Sequence, residues 1–277
     1  MASVSVIIRT YNEEKFIRTC LERVFSQQLS GDLEVILVDS YSTDKTIEIA
    51  RQFDTKILYL PYSSARSINH GIERSKGEYV IVLSAHAIPV DNKWMSNLVR
   101  NFDHPKVAGV YGRQIPFPDC SPLDARDTLD LHGTDRKVQS EDHFFSNTNS
   151  AIRRSIWKEI PFDDRSIYAE DRFWARNVQQ KGYLVIYEPS AIVMHSHKDM
   201  LRESYRRAWR CAFDIKQLGM TKDKPKIGIG RGILSLTRRI LSDWGFIIKN
   251  RYSPKWLLIA PFQRFARGLG WYMGSRQ

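Results

Sequence analysis

The sequence predicts an α/β fold, in which a mostly parallel sheet carries helices on both faces and is followed by amphipathic C-terminal helices. Apolar runs rich in β-branched residues alternate with segments of helical spacing through most of the chain. The chain has 277 residues, 42% of them hydrophobic, which is enough for a large packed core. Strands that alternate with helices of this length form parallel sheets covered on both faces.

Each element follows from a local pattern. Apolar runs predict strands at 4–8, 35–38, 56–60, 79–83 and 107–111, and later at 183–187. Helical spacing predicts helices between the first five strands, at 13–25, 43–53, 65–75 and 93–102. Asn12 and Ser42 are the predicted N-caps of the first two helices. Residues 112–150 are rich in Gly, Pro, Asp and Ser, which indicates a long functional excursion.

A pair of adjacent acids, Glu170 and Asp171, opens a further segment of helical spacing that ends at Gly182. A helix N-terminus favours negative charge, so we expect these carboxylates to stay ionised. An ionised, positioned carboxylate is what a general base requires. Ordinary N-terminal capping is the alternative interpretation.

Polar residues follow three of the predicted strands, in the clusters 10–13, 39–44 and 84–86. In open parallel sheets ligands bind beyond the carboxyl ends of the strands. Each cluster alone fits a turn, because Asn, Asp and Ser favour turns. Three clusters at one edge favour a binding site.

The basic charge is concentrated near the C-terminus. Of the net +11, residues 226–277 carry +9, from ten basic residues and one acid. Such a segment points to an anionic partner: a membrane surface, an anionic lipid-linked substrate or nucleic acid. Apolar residues recur at helical spacing on both sides of Pro254. The face predicted for the first helix consists of Ile233, Leu236, Ile240, Leu241, Trp244, Ile247 and Ile248.

Two interpretations of this tail remain open. Trp244, Trp256 and Trp271 suit the headgroup region of a membrane, so the tail is predicted to dock on an anionic membrane surface. Alternatively, both helices pack on the body or on another subunit, which leaves a homodimer open. Three widely spaced cysteines predict a reducing compartment, and no apolar run reaches the ~18 residues of a spanning helix. The expected location is therefore cytoplasmic, at the inner face of the cell membrane.

Five motifs together resemble glycosyltransferase family 2 over about residues 4–197: VIIRTYNE at 6–13, VDSYSTDKT at 38–46, ARSINHG at 65–71, GEY at 77–79 and AED at 169–171. The resemblance implies a GT-A fold, with a Rossmann-like nucleotide half joined to an acceptor half. It also implies transfer of a sugar from a nucleotide-sugar donor to a saccharide or lipid-linked acceptor, with inversion. The expected division is 1–225, with halves at 1–114 and 115–225, followed by the tail 226–277.

The resemblance also assigns the site residues. It makes Asp171 the catalytic base. The residues expected at the acceptor or donor sugar are Glu170, Arg113 and Asn149. Those expected at the nucleotide are Thr10, Tyr11, Glu13, Asp39, Arg66, Asn69 and Ser84.

The metal-binding motif of the family is altered in this chain. The family usually has Asp-x-Asp after the fourth strand, but Ser84-Ala85-His86 stands there. His86 can ligate a divalent metal through a ring nitrogen, which suits Mn²⁺ better than Mg²⁺. By resemblance, His195 or His197 supplies a further ligand. The alternative is a metal-independent enzyme in which His86 only forms hydrogen bonds. The Ser-Ala-His form together with Gly112-Arg113-Gln114 is similar to a subset associated with polysaccharide assembly.

Two other classes of protein share parts of this pattern. A non-catalytic nucleotide- or nucleic-acid-binding protein would explain the basic tail but not the polar clusters or the acidic pair, so no nucleic-acid partner is expected. A nicotinamide-dependent oxidoreductase requires Gly-x-Gly-x-x-Gly after the first strand, where Arg9-Thr10-Tyr11-Asn12 stands instead.

Overall fold

The computed structural model describes residues 3–197, 200–220 and 229–277. The chain forms two compact units, Met1–Ile115 with His132–His195 and Pro116–Leu131 with Ser196–Gln277. The predicted division into 1–225 and 226–277 is therefore wrong, although the boundary itself lies outside the described residues. Residues 116–131 and the helix after residue 200 belong with the C-terminal helices. Leu123 shares a core with Ile247 and Ala260, and Gly270 and Gly274 lie against the backbone of the helix after residue 200.

The first unit contains one sheet, which has nine strands within the described part of the chain. The strands are β1 Val4–Thr10, β2 Leu33–Asp39, β3 Lys56–Tyr59, β4 Tyr79–Ser84, β5 Ile88–Pro89, β6 Val107–Ile115, β7 Lys137–Gln139, β8 Asn149–Arg153 and β9 Leu184–Met194. Their order is β3-β2-β1-β4-β8-β6-β9-β5, and β7 also pairs with β9.

The predicted parallel arrangement is confirmed for β3-β2-β1-β4 and for β6-β9. β8 runs antiparallel to both β4 and β6 and joins the two parallel sets. The sequence did not predict this strand, because it begins with Asn149 and Ser150 rather than with an apolar run. Both side chains are buried, and both form hydrogen bonds inside the protein.

The helices in chain order are α1 Ile17–Phe25, α2 Thr46–Ala50, α3 Ser64–Glu73, α4 Trp94–Val99, α5 Pro122–Leu131, α6 Arg154–Glu159, α7 Glu170–Gln180, α8 Leu201–Gln217, α9 Ile229–Lys249 and α10 Lys255–Gly274. The predicted N-caps Asn12 and Ser42 are wrong, because α1 and α2 begin further along the chain. Both residues instead bond to each other's loops, as described below. The predicted start and end of α7 are confirmed, and Gly182 has a φ of +83°.

A core of aromatic side chains holds α7 against the sheet of the first unit. Trp174, Phe145 and Phe162 are fully buried, with ring centroids 5.2 and 5.4 Å from that of Trp174. The indole Nε1 of Trp174 also donates a hydrogen bond to Ile160 O at 2.8 Å. Because a buried aromatic of this size has little freedom to move, it fixes the position of the helix that begins with Glu170.

The second unit consists of α5, α8, α9 and α10. Its small core contains Leu123, Ile247 and Ala260, and Trp244 and Trp256 pack against it. Trp244 and Trp256 are thus partly buried, and the indole Nε1 of Trp244 also donates a hydrogen bond to Leu257 O at 2.9 Å. Trp271, the third tryptophan predicted to face a membrane, is 44% exposed. In the described part of the chain, no helix has the length and apolar composition to cross a membrane.

Candidate active site

The loops that follow β1 and β2 are joined by the carboxylate of Asp39. This side chain is fully buried. Its Oδ1 accepts hydrogen bonds from Thr10 Oγ1 at 2.9 Å and from Ser42 Oγ at 2.5 Å, while Oδ2 accepts from Ser42 N at 2.8 Å. Asp39 therefore orders both loops at the carboxyl edge of the sheet, which is where the sequence predicts the nucleotide.

Two residues in these loops adopt the left-handed conformation, Asn12 with a φ of +55° and Tyr41 with a φ of +61°. Asn12 tolerates it and bonds across the loops, because Asn12 N donates to Ser42 Oγ and Thr43 N donates to Asn12 Oδ1. For a bulky residue such as Tyr41 this conformation is strained, and strained backbone is often found at functional sites.

Three tyrosines lie exposed at this edge. Tyr11, Tyr41 and Tyr59 are 54%, 57% and 43% exposed. The rings of Tyr41 and Tyr59 stack with their centroids 5.9 Å apart. Exposed aromatic faces beside ordered loops are suited to stacking with a planar base.

The two predicted nucleotide-binding residues of α3 have different environments. Arg66 is exposed. Asn69 is buried, and its amide donates to Phe162 O and Asp164 Oδ1 and accepts from Trp157 Nε1 and Phe162 N. These four bonds fill the capacity of an amide side chain, so the predicted contact of Asn69 with the donor is wrong.

The acidic pair lies next to the same edge of the sheet. Arg9, on β1, is the register partner of Ser84 at the end of β4. Its guanidinium donates to Ser64 Oγ at 2.7 Å and lies 3.6 Å from Glu170 Oε1. Asn147 Nδ2 donates to the same carboxylate oxygen at 3.3 Å. Among the described residues the other oxygen, Glu170 Oε2, is buried without a hydrogen-bond partner.

Asp171 occupies the first turn of α7 and keeps part of its surface open to solvent. Its oxygens accept hydrogen bonds from Arg172 N at 2.7 Å and Asn147 N at 3.3 Å. Burial, together with the neighbouring Glu170 carboxylate, raises the pKa of Asp171 to about 7. The expectation that the helix N-terminus keeps this acid fully ionised is therefore wrong, because desolvation and like charge outweigh it.

Of the two remaining sugar-site candidates, one has a structural role. Asn149 is fully buried; its Oδ1 accepts from Trp94 Nε1, and its Nδ2 donates to the carbonyl oxygens of Arg113 and Ala191. The predicted contact of Asn149 with a sugar is wrong, since these bonds join β6, β8 and β9. Arg113 is partly exposed, and its Nε has no hydrogen-bond partner among the described residues.

The histidine of the Ser84-Ala85-His86 motif forms a hydrogen bond with Glu13. His86 Nδ1 donates a hydrogen bond to Glu13 Oε1 at 2.7 Å. The ring of His86 stacks on that of His195, with centroids 5.0 Å apart, and each residue offers a ligand nitrogen within 4.8 Å of the other's. His197 lies two residues further on, in the second unit, where its backbone N–H donates to Asp124 Oδ2.

Arg9 and Asn147 are site residues that sequence reasoning did not single out. The sequence contains an indication of each. Arg9 is a charged residue within a run of apolar strand residues. Asn147 lies in the polar segment Ser146-Asn147-Thr148-Asn149, which follows two phenylalanines. Deletion of either side chain would change the surroundings of the acidic pair.

The comparison with protein families identifies the class. The model of "Glycosyl transferase family 2" matches residues 5–161, more than half of the chain. The chain belongs to this family and is a glycosyltransferase. The match favours sugar transfer over the nucleic-acid-binding and oxidoreductase alternatives.

Individual relatives agree with this assignment. The chain is 30% identical to the O-antigen chain rhamnosyltransferase RfbN of Salmonella typhimurium, over 98% of this chain and 89% of the relative. It is 29% identical to the O-antigen chain rhamnosyltransferase WbaN of Salmonella anatum, over 99% and 90%.

Two solved structures share the fold. The mannosyltransferase PcManGT from Pyrobaculum calidifontis, in complex with GDP-Man and Mn²⁺, superimposes with a TM-score of 0.64 at 18% identity and covers 98% of this chain and 87% of its own. S. aureus TarS 1-349 in complex with UDP gives 0.58 at 15% identity, over 99% and 90%. The fold is GT-A, as the sequence predicted.

Proposed function

We propose that this protein transfers a sugar from a nucleotide-sugar donor to an acceptor hydroxyl with inversion at the anomeric carbon. The observation that carries the proposal is the acidic pair at the start of α7, with one carboxylate of raised pKa beside another that has an unpaired buried oxygen. One positioned base is sufficient for inversion, because the hydroxyl attacks directly as the nucleoside diphosphate leaves.

Each acid has a separate role in this proposal. Asp171 removes the proton of the acceptor hydroxyl. Glu170 accepts a hydrogen bond from a sugar hydroxyl through Oε2, the oxygen that lacks a partner in the described structure. Arg9 and Asn147 hold the Glu170 carboxylate in place through Oε1. Arg113, whose Nε has no hydrogen-bond partner among the described residues, is proposed to contact the sugar.

The nucleotide binds at the carboxyl edge of β1, β2 and β4 in this proposal. Thr10 and Asp39 order the loops, the exposed Tyr11 stacks on the base, and Ser84 bonds the ribose. Arg66 is exposed on α3, and a guanidinium is suited to the charge of a diphosphate.

We also propose a divalent metal, Mn²⁺ or Mg²⁺, held by His86, His195 and His197. The residues fit such an ion, because a carboxylate that bonds one nitrogen of a histidine orients the ring and makes the other nitrogen more basic. Glu13 does this for His86, and His195 stacks on it. His197 is close along the chain. When bound, the metal supplies positive charge for the diphosphate leaving group.

For the substrates, the two O-antigen relatives support a rhamnosyl or other deoxyhexosyl donor and an acceptor in polysaccharide assembly. Hexosyl transfer is the other candidate, because the solved mannosyltransferase has the same fold. A saccharide built on a lipid carrier is made at a membrane, so we propose that the protein works at the cytoplasmic face of the cell membrane. A homodimer remains a prediction.

A panel of UDP-, GDP- and dTDP-sugars tests the proposal, with release of the nucleoside diphosphate as the readout. One donor should be turned over. Asp171→Asn should lower kcat by about 10²-fold or more and leave the affinity for the nucleotide product nearly unchanged. Nucleotide binding without turnover of any donor would support a non-catalytic protein, and near wild-type turnover of the variant would exclude Asp171 as the base.

A further inference from the structure

The second unit exposes a row of large apolar side chains along α10. Their spacing of four and three residues places them on one face of the helix. We call the row the α10 ridge, and its members are 41% to 74% exposed: Leu258, Phe262, Phe265, Leu269 and Tyr272. A soluble helix normally turns such a face toward a core, so this one requires a partner.

The opposite face of α10 is already used, which prevents the ridge from turning inward. A Cβ atom built on Gly270 would lie 2.3 Å from Tyr205 O, and one on Gly274 would lie 2.3 Å from Trp209 O. The two glycines therefore permit a close approach of α10 to α8 that no larger residue allows. Rotation of the helix would lose this contact.

The exposed charges of α9 and α10 are of one sign. Within residues 229–277 the only acid is Asp243, which is buried and bonded to Arg126 and Arg264. Lys255 precedes the ridge, and Arg276 follows it with its guanidinium 4.4 Å from the ring centroid of Tyr272. Both basic residues are exposed.

A second row of the same kind lies on α9 in this unit. Leu234, Leu241 and Ile248 recur every seven residues and are 51% to 67% exposed. Arg238 is four residues after Leu234 and three before Leu241, so it lies on the same helical face. It is also exposed. Apolar rows bordered by cations are thus a feature of both C-terminal helices.

Two kinds of partner could cover the ridge, and the charges favour one. In a symmetric dimer the same surface meets itself, so the exposed cations of α9 and α10 in one copy would face those of the other, and neither helix has an exposed acid to pair them. An anionic membrane complements both features, because the apolar side chains enter the boundary region and the cations meet phosphate groups.

We propose that the α10 ridge inserts into the interfacial region of a membrane that contains anionic lipid, with α10 lying along the surface. The inference deepens and rests on the proposed function, since a lipid-linked acceptor places the reaction at a membrane. It changes the predicted contact surface from the three tryptophans Trp244, Trp256 and Trp271 to the exposed ridge.

The test uses the whole chain and sedimentation with vesicles of phosphatidylcholine, with and without phosphatidylglycerol. The wild-type protein should bind the anionic vesicles, and binding should weaken as NaCl is added. Phe262→Gln with Phe265→Gln should lower the partition coefficient by about tenfold or more. The matched control, Leu131→Gln with Val138→Gln, changes two exposed apolar residues off the ridge and should bind as the wild type does.

Circular dichroism confirms that both double variants are folded, and donor turnover with a soluble acceptor reports separately on the proposed function. Equal binding by the ridge variant and the wild type would overturn the proposal, as would a wild-type protein that does not bind anionic vesicles at low salt. A wild-type dimer in analytical ultracentrifugation that the ridge variant converts to a monomer would assign the ridge to a second copy instead.

Discussion

At the scale of single residues, the function depends most on the surroundings of Asp171. Two backbone N–H groups donate to its carboxyl and favour the ionised form. Burial and the Glu170 carboxylate act in the opposite direction and prevail, so the pKa of Asp171 rises to about 7. A general base is efficient when its pKa is near the working pH, which makes this balance useful for catalysis.

The rate of transfer should therefore depend on the ionisation of Asp171. Only the deprotonated form accepts a proton, so kcat/KM should fall by about tenfold per unit as the pH drops below the pKa. A pH–rate profile with saturating metal measures this. If the residual kcat/KM of Asp171→Asn fell at low pH in the same way as that of the wild type, the pKa in the profile would belong to a different group.

The same group should make stability depend on pH. Because the folded-state pKa of Asp171 lies above the ordinary value, its stabilising contribution is present at low pH and is lost as the pH rises through about 7. Thermal unfolding should show the wild type losing stability relative to Asp171→Asn between about pH 4 and 7. Parallel curves for the two proteins would contradict the raised pKa.

Glu13 should act on metal binding through His86. Loss of the carboxylate in Glu13→Gln removes the charged partner of Nδ1, so Mn²⁺ affinity should weaken by about 10- to 100-fold. Electron paramagnetic resonance of free Mn²⁺ measures this without any turnover. Glu14→Gln is the matched control, because the Glu14 carboxylate accepts from Lys45 N. If both variants bind Mn²⁺ as the wild type does, Glu13 has no role at a metal.

At the scale of elements, the site depends on loops held by side chains of neighbouring strands. Asp39 ends β2, and its three hydrogen bonds fix the loop in which Tyr41 is strained. Removal of the carboxylate should release the loop while leaving the acidic pair in place. Mutation should therefore be able to disturb the nucleotide loops without disturbing the acidic pair.

Asp39→Ala should weaken binding of the nucleotide product by about tenfold or more and change saturated kcat much less, because an unordered loop must be fixed on binding. Isothermal titration calorimetry with the nucleoside diphosphate gives the affinity. Unchanged affinity would show that the loop does not contact the nucleotide.

The sequence predicted elements that have strong periodicity and missed those decided by long-range contacts. The strands of the nucleotide half and the start of α7 follow from local patterns. The roles of Asn69 and Asn149 do not, because each amide is filled by partners distant along the chain, such as Trp157 and Trp94. The same limit applies to β8, whose polar residues are satisfied only in the folded sheet.

At the scale of the whole molecule, the second unit is held by a buried ionic network as well as by its small apolar core. Arg264 is buried and donates to both Asp127 and Asp243, and Arg126 donates to Asp243 at 2.6 Å. Burial alone would raise the pKa of Asp127, but the Arg264 guanidinium holds it below its usual range. Part of the basic charge of residues 226–277 is therefore paired inside this network and is not available to an outside partner.

Arg264→Met should destabilise the second unit by about 3 kcal/mol or more, because it leaves the buried Asp243 and the partly buried Asp127 with fewer cations. Urea unfolding followed by circular dichroism measures this. Arg267→Met is the matched control: Arg267 also contacts Asp127 but is half exposed, so its loss should cost less than about 1 kcal/mol. Nucleotide affinity should survive in both variants, since the residues of that site lie in the first unit with its own core. Equal losses of stability in the two variants would show that the buried network contributes no more than a surface ion pair.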